Sequence, residues 1–168
     1  AGVVQRVKRG TYSLTPLMPG AQEPHPFVVG MALADPCAVS GWSALNHHGL
    51  TEQIPNTITL TTPRRVVTPA MRGVVHSAAS SWEVSGQKYE FVTVVSSHFF
   101  GYEDEWFGDS RARVFNRERA LLDCFALPRR FGGLTEGLGI LEEHFKELEL
   151  ARLAEYARQY GQASVARR

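Results

Sequence analysis

Cysteine is scarce in this chain: Cys37 and Cys124 are the only two in 168 residues, far apart and without CxxC or Cys/His ligand spacing. That excludes a disulfide framework and a zinc ribbon, and both neighbourhoods are apolar enough to make buried free thiols the expectation. A reduced, cytoplasmic setting follows as the expected location. No apolar run approaches the roughly 18 residues needed to span a bilayer, so no membrane partner is expected. The start, Ala1 to Gly10, is basic but has no apolar stretch behind it, so it does not read as a signal peptide. Phosphate-cradling loops of the GxGxxG or GxxxxGK[ST] type are missing, as is a GxSxG nucleophile elbow. No cofactor is therefore expected.

The net charge of +1 is too small to argue for nucleic acid on its own. Its distribution says more. Arg6, Lys8 and Arg9 stand together without an acid, and so do Arg64, Arg65 and Arg72. Six arginines, at 111, 113, 117, 119, 129 and 130, share a stretch that holds only Glu118 and Asp123. Acids gather elsewhere, at 103–105 and at Glu142, Glu143, Glu147 and Glu149. Such segregation permits a basic face on a nearly neutral protein.

Hydrophobic residues make up 43% of the chain and charged residues 21%, which is enough apolar surface for a real core. Alternation from Val3 to Leu14 around Gly10 reads as a strand pair with a tight turn, and Thr15 to Pro26 as a Pro/Gly-rich linker. Two strands alone are marginal in water, so they either dock on the body or complete a domain whose remainder lies upstream. A helix is expected from Pro26 to Ala34, and a short one between Ser40 and the Gly49 stop. Thr57 to Thr62 is the clearest strand, β-branched and alternating. Further strands are expected at Val74 to Ala78, Lys88 to Ser96 and Ala112 to Phe115. Asn116 is placed to cap a helix from Arg117 to Leu127, ended by Pro128 and Gly132-Gly133. Two more helices follow, Leu134 to Glu147 and Leu150 to Tyr160, and Ser164 is a further cap candidate. Helices, then strands, then helices make an α+β fold: a mixed sheet of about four to six strands flanked by helices, with a helical C-terminal part.

Candidate chemistry is thin. His47-His48 is the most tempting metal pair, but adjacent helical positions point about 100° apart and should not face one ion; no metal site is expected. Glu118 and Asp123 lie about 140° apart on their helix, a poor arrangement for paired carboxylates. Glu118 is better explained by the positive end of the helix dipole, and Asp123 by half-burial against an arginine. Glu103-Asp104-Glu105, flanked by Tyr102, Trp106 and Phe107, reads as an acidic, aromatic loop. Solvated loop is the plainer account, and a partner-binding surface through Tyr102, Glu103, Asp104 and Trp106 is the functional one.

At this level of detail several segments resemble one family. The run Val39 to Leu50, VSGWSALNHHGL, resembles the SALxxHGL signature of AbiEi-type antitoxins, the predicted transcriptional regulators of type IV toxin–antitoxin (abortive infection) systems. Asn56 to Thr62 fits the strand that follows it there. Glu118-Arg119-Ala120-Leu121-Leu122-Asp123 is similar to the family's ERxLLD helix, with Gly132-Gly133 after it. Arg9-Gly10-Thr11-Tyr12 is similar to the RGxY that closes the wing of an N-terminal winged helix. The resemblance implies that residues 1–20 are a remnant wing hairpin plus linker and that residues 21–168 are the C-terminal α+β domain. The recognition helix would precede Ala1.

What the resemblance implies for function is a non-enzymatic, DNA-binding autoregulator and antitoxin. Its promoter DNA would carry inverted repeats, and its toxin would be nucleotidyltransferase-like, with direct contact between the two left open. A homodimer is compatible with such an operator. Arg6, Lys8, Arg9, Arg64, Arg65 and Arg72 are the DNA-binding candidates, through phosphates or the minor groove. Two alternatives remain. One is a protein-interaction module that uses the Tyr102 to Phe107 segment and the acidic helix near Leu141 to Leu150. The other is a DNA-processing nuclease using Glu118, Asp123 or His48.

Overall fold

The computed structural model describes residues 4–14, 23–69, 71 and 81–161. At its start, β1 (Val4–Lys8) and β2 (Thr11–Leu14) pair antiparallel around Arg9-Gly10. Gly10 sits at φ +78°, where a side chain would be strained. Val7 is only 6% exposed and belongs to the core, so the hairpin docks on the body. Residues 15–22 of the expected linker, with the division near residue 20, lie outside the described residues, whereas residues 23–25 have no regular structure and Pro26 already begins the next helix.

The next segment crosses the core. Helix α1 (Pro26–Leu33) starts where the His25 side chain accepts the Phe27 N–H and Pro26 occupies the first turn. β3 (Ala38–Ser40) then runs straight into α2 (Gly41–His47), and β4 (Thr57–Thr62) follows. β5 (Ser81–Val84) and β6 (Gln87–Thr93) are joined by Ser85-Gly86, both at positive φ, the two-residue hairpin turn whose twist suits antiparallel strands. β7 (Tyr102–Phe107) and β8 (Ser110–Phe115) form a second hairpin over Gly108-Asp109. Three helices close the described chain: α3 (Arg117–Ala126), α4 (Leu134–Glu143) and α5 (Leu150–Tyr160).

Six strands form one mixed sheet in the order β5-β6-β4-β3-β8-β7. The β4–β6 and β3–β8 pairs are parallel, the others antiparallel. The fold is α+β, with a six-stranded mixed sheet, a small separate hairpin and a helical C-terminal part. Strand β4 explains the layering. A Cβ on Gly30 of α1 would lie 3.1 Å from Leu60, and one on Gly41 of α2 would lie 3.3 Å from Thr59. Successive strand residues face opposite sides, so α1 covers one face and α2 the other. Ser43 ties α2 down by accepting the Thr59 N–H and donating to the Thr57 carbonyl. Cys37, Val39, Leu45, Leu60, Val114 and Leu121 are fully buried at the centre, and both cysteines are free thiols.

Helix α3 begins as its sequence indicates: the Asn116 side chain accepts the Arg119 N–H at 3.1 Å. Helix α5 ends at Gly161 in the left-handed region. Several expectations need correction. Tyr102 to Phe107 is a strand rather than a loop, because each residue has a partner on β8, from Tyr102 opposite Phe115 to Phe107 opposite Ser110. Strand β3 precedes α2, so helices and strands interleave more than the simple order suggested. Helix α4 stops at Glu143, before a 3-10 turn at Phe145–Glu147; burial of Leu148 at 7% exposure turns the chain inward there. Strand β6 ends at Thr93, ahead of another 3-10 turn at Ser96–His98. The strand expected at 74–78 and the cap at Ser164 lie outside the described residues. No helix among the described residues is long and apolar enough to cross a membrane.

Candidate nucleic-acid interface

Two basic segments that are distant in sequence meet on one surface. Lys8, on β1, and Arg64 and Arg65, on the loop after β4, line a cleft of about 290 Å³ with Asp35, Thr62 and Trp82. A second concavity, lined by Arg6, Lys8, Arg9 and Trp82, adjoins it. Lys8 and Trp82 belong to both, so the two form a continuous basic groove with Trp82 as a shared wall. Docking of Val7 in the core brings the hairpin there. Arg72 lies outside the described residues.

Charge in this groove is largely uncompensated. Among the described residues, none of Arg6, Lys8, Arg9, Arg64 or Arg65 lies within ion-pair distance of a carboxylate. Arg64 donates from Nη1 to the Asp35 carbonyl at 3.2 Å, which orients the guanidinium but leaves its charge in place. The groove's one acid, Asp35, is held instead by Arg113 at 2.7 Å.

The arginine-rich stretch after residue 110 behaves differently. Arg113 pairs with Asp35, Arg117 with Glu147, Arg119 with Asp123 and Arg130 with Glu90. Arg111 lies over the Trp106 ring, 4.6 Å from its centroid. These five cations hold elements together, while Arg129 is exposed and has no ion pair among the described residues.

The acid candidates are similarly occupied. Asp123 is fully enclosed rather than half-buried, ion-paired to Arg119 one turn earlier. Burial pushes its carboxyl up, and Arg119 opposes that shift. The Arg119 guanidinium also donates to the His98 carbonyl and packs over Phe100, Phe115 and Tyr160. Glu118 is 4% exposed, accepts the Glu149 N–H at 2.9 Å and faces Arg152. It therefore fastens the start of α5 to α3. Asp123 borders a small space of about 60 Å³ with Ser40, Thr61, Glu90 and Arg130, room for a few waters. Glu118 is not among its lining residues.

Tyr102, Glu103, Asp104 and Trp106 lie on β7, one of the sheet's two outer strands. Alternation divides them. Trp106, 64% exposed, and Tyr102, 39% exposed, share one face with Asp104. Glu103 points to the other, with Asn116 Nδ2 at 3.4 Å and Arg152 nearby. Acids along an outer strand discourage pairing with another chain's edge.

The two histidines do not obey the expected geometry. His47 is the last residue of α2, whereas His48 is its C-cap at φ −85°, ψ 2°. The two rings nevertheless lie together, with centroids 5.1 Å apart. His47 Nε2 meets Glu105 Oε2 at 2.6 Å, and His48 Nε2 meets the Phe115 carbonyl at 2.7 Å. One donor atom from each of His47, His48 and Glu105 lies within 4.8 Å of the other two. Gly49 after His48 was the available signal that the second histidine sits at a helix end. Glu105 had none, since three consecutive acids give no local strand signal.

No protein-family model and no curated protein matches this sequence.

Proposed function

We propose that this chain is part of a DNA-binding transcriptional autoregulator and antitoxin without catalytic activity of its own, acting on inverted-repeat promoter DNA beside a nucleotidyltransferase-like toxin. The observation that carries the reading is the groove shared by Arg6, Lys8, Arg9, Arg64 and Arg65, where cations converge and Asp35, the one acid among the described lining residues, is held by Arg113. Flexible cations at the rim of a concave surface suit backbone phosphates, whose contacts add affinity and register rather than sequence choice. Sequence choice would then rest with another part of the protein, as the resemblance to AbiEi-type antitoxins implies. The enclosure of Glu118 and Asp123 by structural partners supports the non-enzymatic reading over the nuclease.

A transcriptional fusion tests this directly. The full-length protein is expressed against a reporter driven by the DNA upstream of its own gene. Repression is expected, and Arg64→Gln with Arg65→Gln should weaken it at equal protein level. Equal reporter output with and without the protein overturns the regulator reading.

One observation favours a second reading, a protein-interaction module: Trp106 stands 64% exposed on the outer strand, and exposed aromatics anchor interfaces. Loss of toxin capture with Trp106→Ala, while reporter repression is retained, would favour this role.

A further inference from the structure

Besides the basic groove, the molecule gathers metal-binding side chains where the C-terminal end of α2 meets β7. We propose that His47, His48 and Glu105 bind a divalent transition-metal ion of the zinc class, with three protein ligands and one coordination position open.

A carbonyl can only accept, so the 2.7 Å contact with Phe115 means that His48 Nε2 carries the proton. Its lone pair is then on Nδ1. A metal-bound histidine usually has this arrangement: the second ring nitrogen donates to a carbonyl or carboxylate, which fixes the tautomer and the ring orientation.

His47 and Glu105 supply the other two ligands. Their 2.6 Å contact sets an imidazole nitrogen beside a carboxylate oxygen; the carboxylate accepts, so His47 Nε2 carries the proton in this contact, and a metal ion would displace that proton on binding. Ligands about 2.0–2.1 Å from a tetrahedral ion lie roughly 3.3 Å from each other. The His47–Glu105 contact at 2.6 Å is shorter than that value, and one donor atom from each of the three residues lies within 4.8 Å of the others. The Phe27 and Phe107 rings flank His47 at 5.6 Å, so one side of the cluster is apolar and sheltered from water. Two imidazoles with one carboxylate select zinc, copper, nickel or iron over calcium and magnesium, which prefer all-oxygen shells.

A bound ion would join α2 to the outer strand, a link that thermal unfolding can detect because a ligand for the native state raises its stability. The test uses the untagged full chain, stripped with chelator and titrated with zinc chloride by calorimetry. Cobalt(II) absorption provides a second readout. Saturation at one equivalent is expected, with a higher Tm. His47→Ala and Glu105→Gln should each weaken binding at least tenfold while the far-UV spectrum stays unchanged. His144→Ala, which disturbs a separate surface His–Glu pair, should leave binding as it was. Absence of saturable binding to the wild-type chain overturns the proposal. So does wild-type affinity in both His47→Ala and Glu105→Gln, which would leave the His47–Glu105 contact as a plain hydrogen bond between α2 and β7.

Discussion

The Arg113 guanidinium holds the Asp35 carboxylate at 2.7 Å, at the edge of the groove that Lys8 and Arg64 line. Arg113 thus acts on the groove without lining it, by occupying the one acid that would otherwise offset its charge. Arg113→Gln should free that carboxylate and weaken duplex DNA binding at low salt. Asp35→Asn should tighten it. Each change is expected to be about fivefold, from roughly 1 kcal/mol per unit charge at short range in a water-like medium. Fluorescence anisotropy with a labelled duplex measures both, and an unchanged Kd in the pair of variants contradicts this role.

The Arg119–Asp123 pair governs stability instead. Their side chains are 1% and 6% exposed, so removing one partner leaves a charge buried among Phe100, Phe115 and Tyr160. Asp123→Ala should cost about 3–5 kcal/mol in urea unfolding. The combined Arg119→Met and Asp123→Leu variant should recover much of that, because no unpaired charge then remains. A double variant less stable than Asp123→Ala would show that the pair's own hydrogen bonds outweigh its desolvation.

Legibility in the sequence followed the range of the interactions. Strand β4 and helices α3 and α5 were readable because their signals are local: β-branched alternation at Thr57–Thr62, an Asn116 cap, a Gly161 stop. Strand β7 was hidden because three consecutive acids imitate a solvated loop, and its pairing with β8 is a tertiary fact. The basic groove was half legible. Its cations stood out, but their convergence depends on the Val7 anchor, and Trp82 and Asp35 carried no signal of their own. The closeness of His47 and His48 has no local signal, since Glu105 and the Phe115 carbonyl, which hold the two rings, reach them only through tertiary packing.

Histidine 48 gives the fold a pH dependence of definite sign. Burial, the largest influence, lowers its pKa in the folded chain below the ordinary 6.5, and the neighbouring His47 and Arg117 act in the same direction. The Phe115 carbonyl and Glu105 oppose that shift. The unfolded chain therefore binds the proton more tightly, and stability rises with pH across the interval between the two values. The contribution is complete above about 6.5 and is lost as pH falls through the folded-state value. Urea midpoints from pH 7.5 down to about pH 5 should decline in the wild type and decline less in His48→Gln. Parallel profiles would remove His48 as a cause.

The salt dependence of duplex binding tests the central claim most directly. Anisotropy titrations of the wild type and of Arg64→Gln/Arg65→Gln across a series of sodium chloride concentrations give the two slopes of log K against log salt. If Arg64 and Arg65 neutralise phosphates, the variant's slope is shallower by about two, from roughly 0.9 per lost contact. Parallel lines for the two proteins would mean that the groove's arginines do not touch DNA.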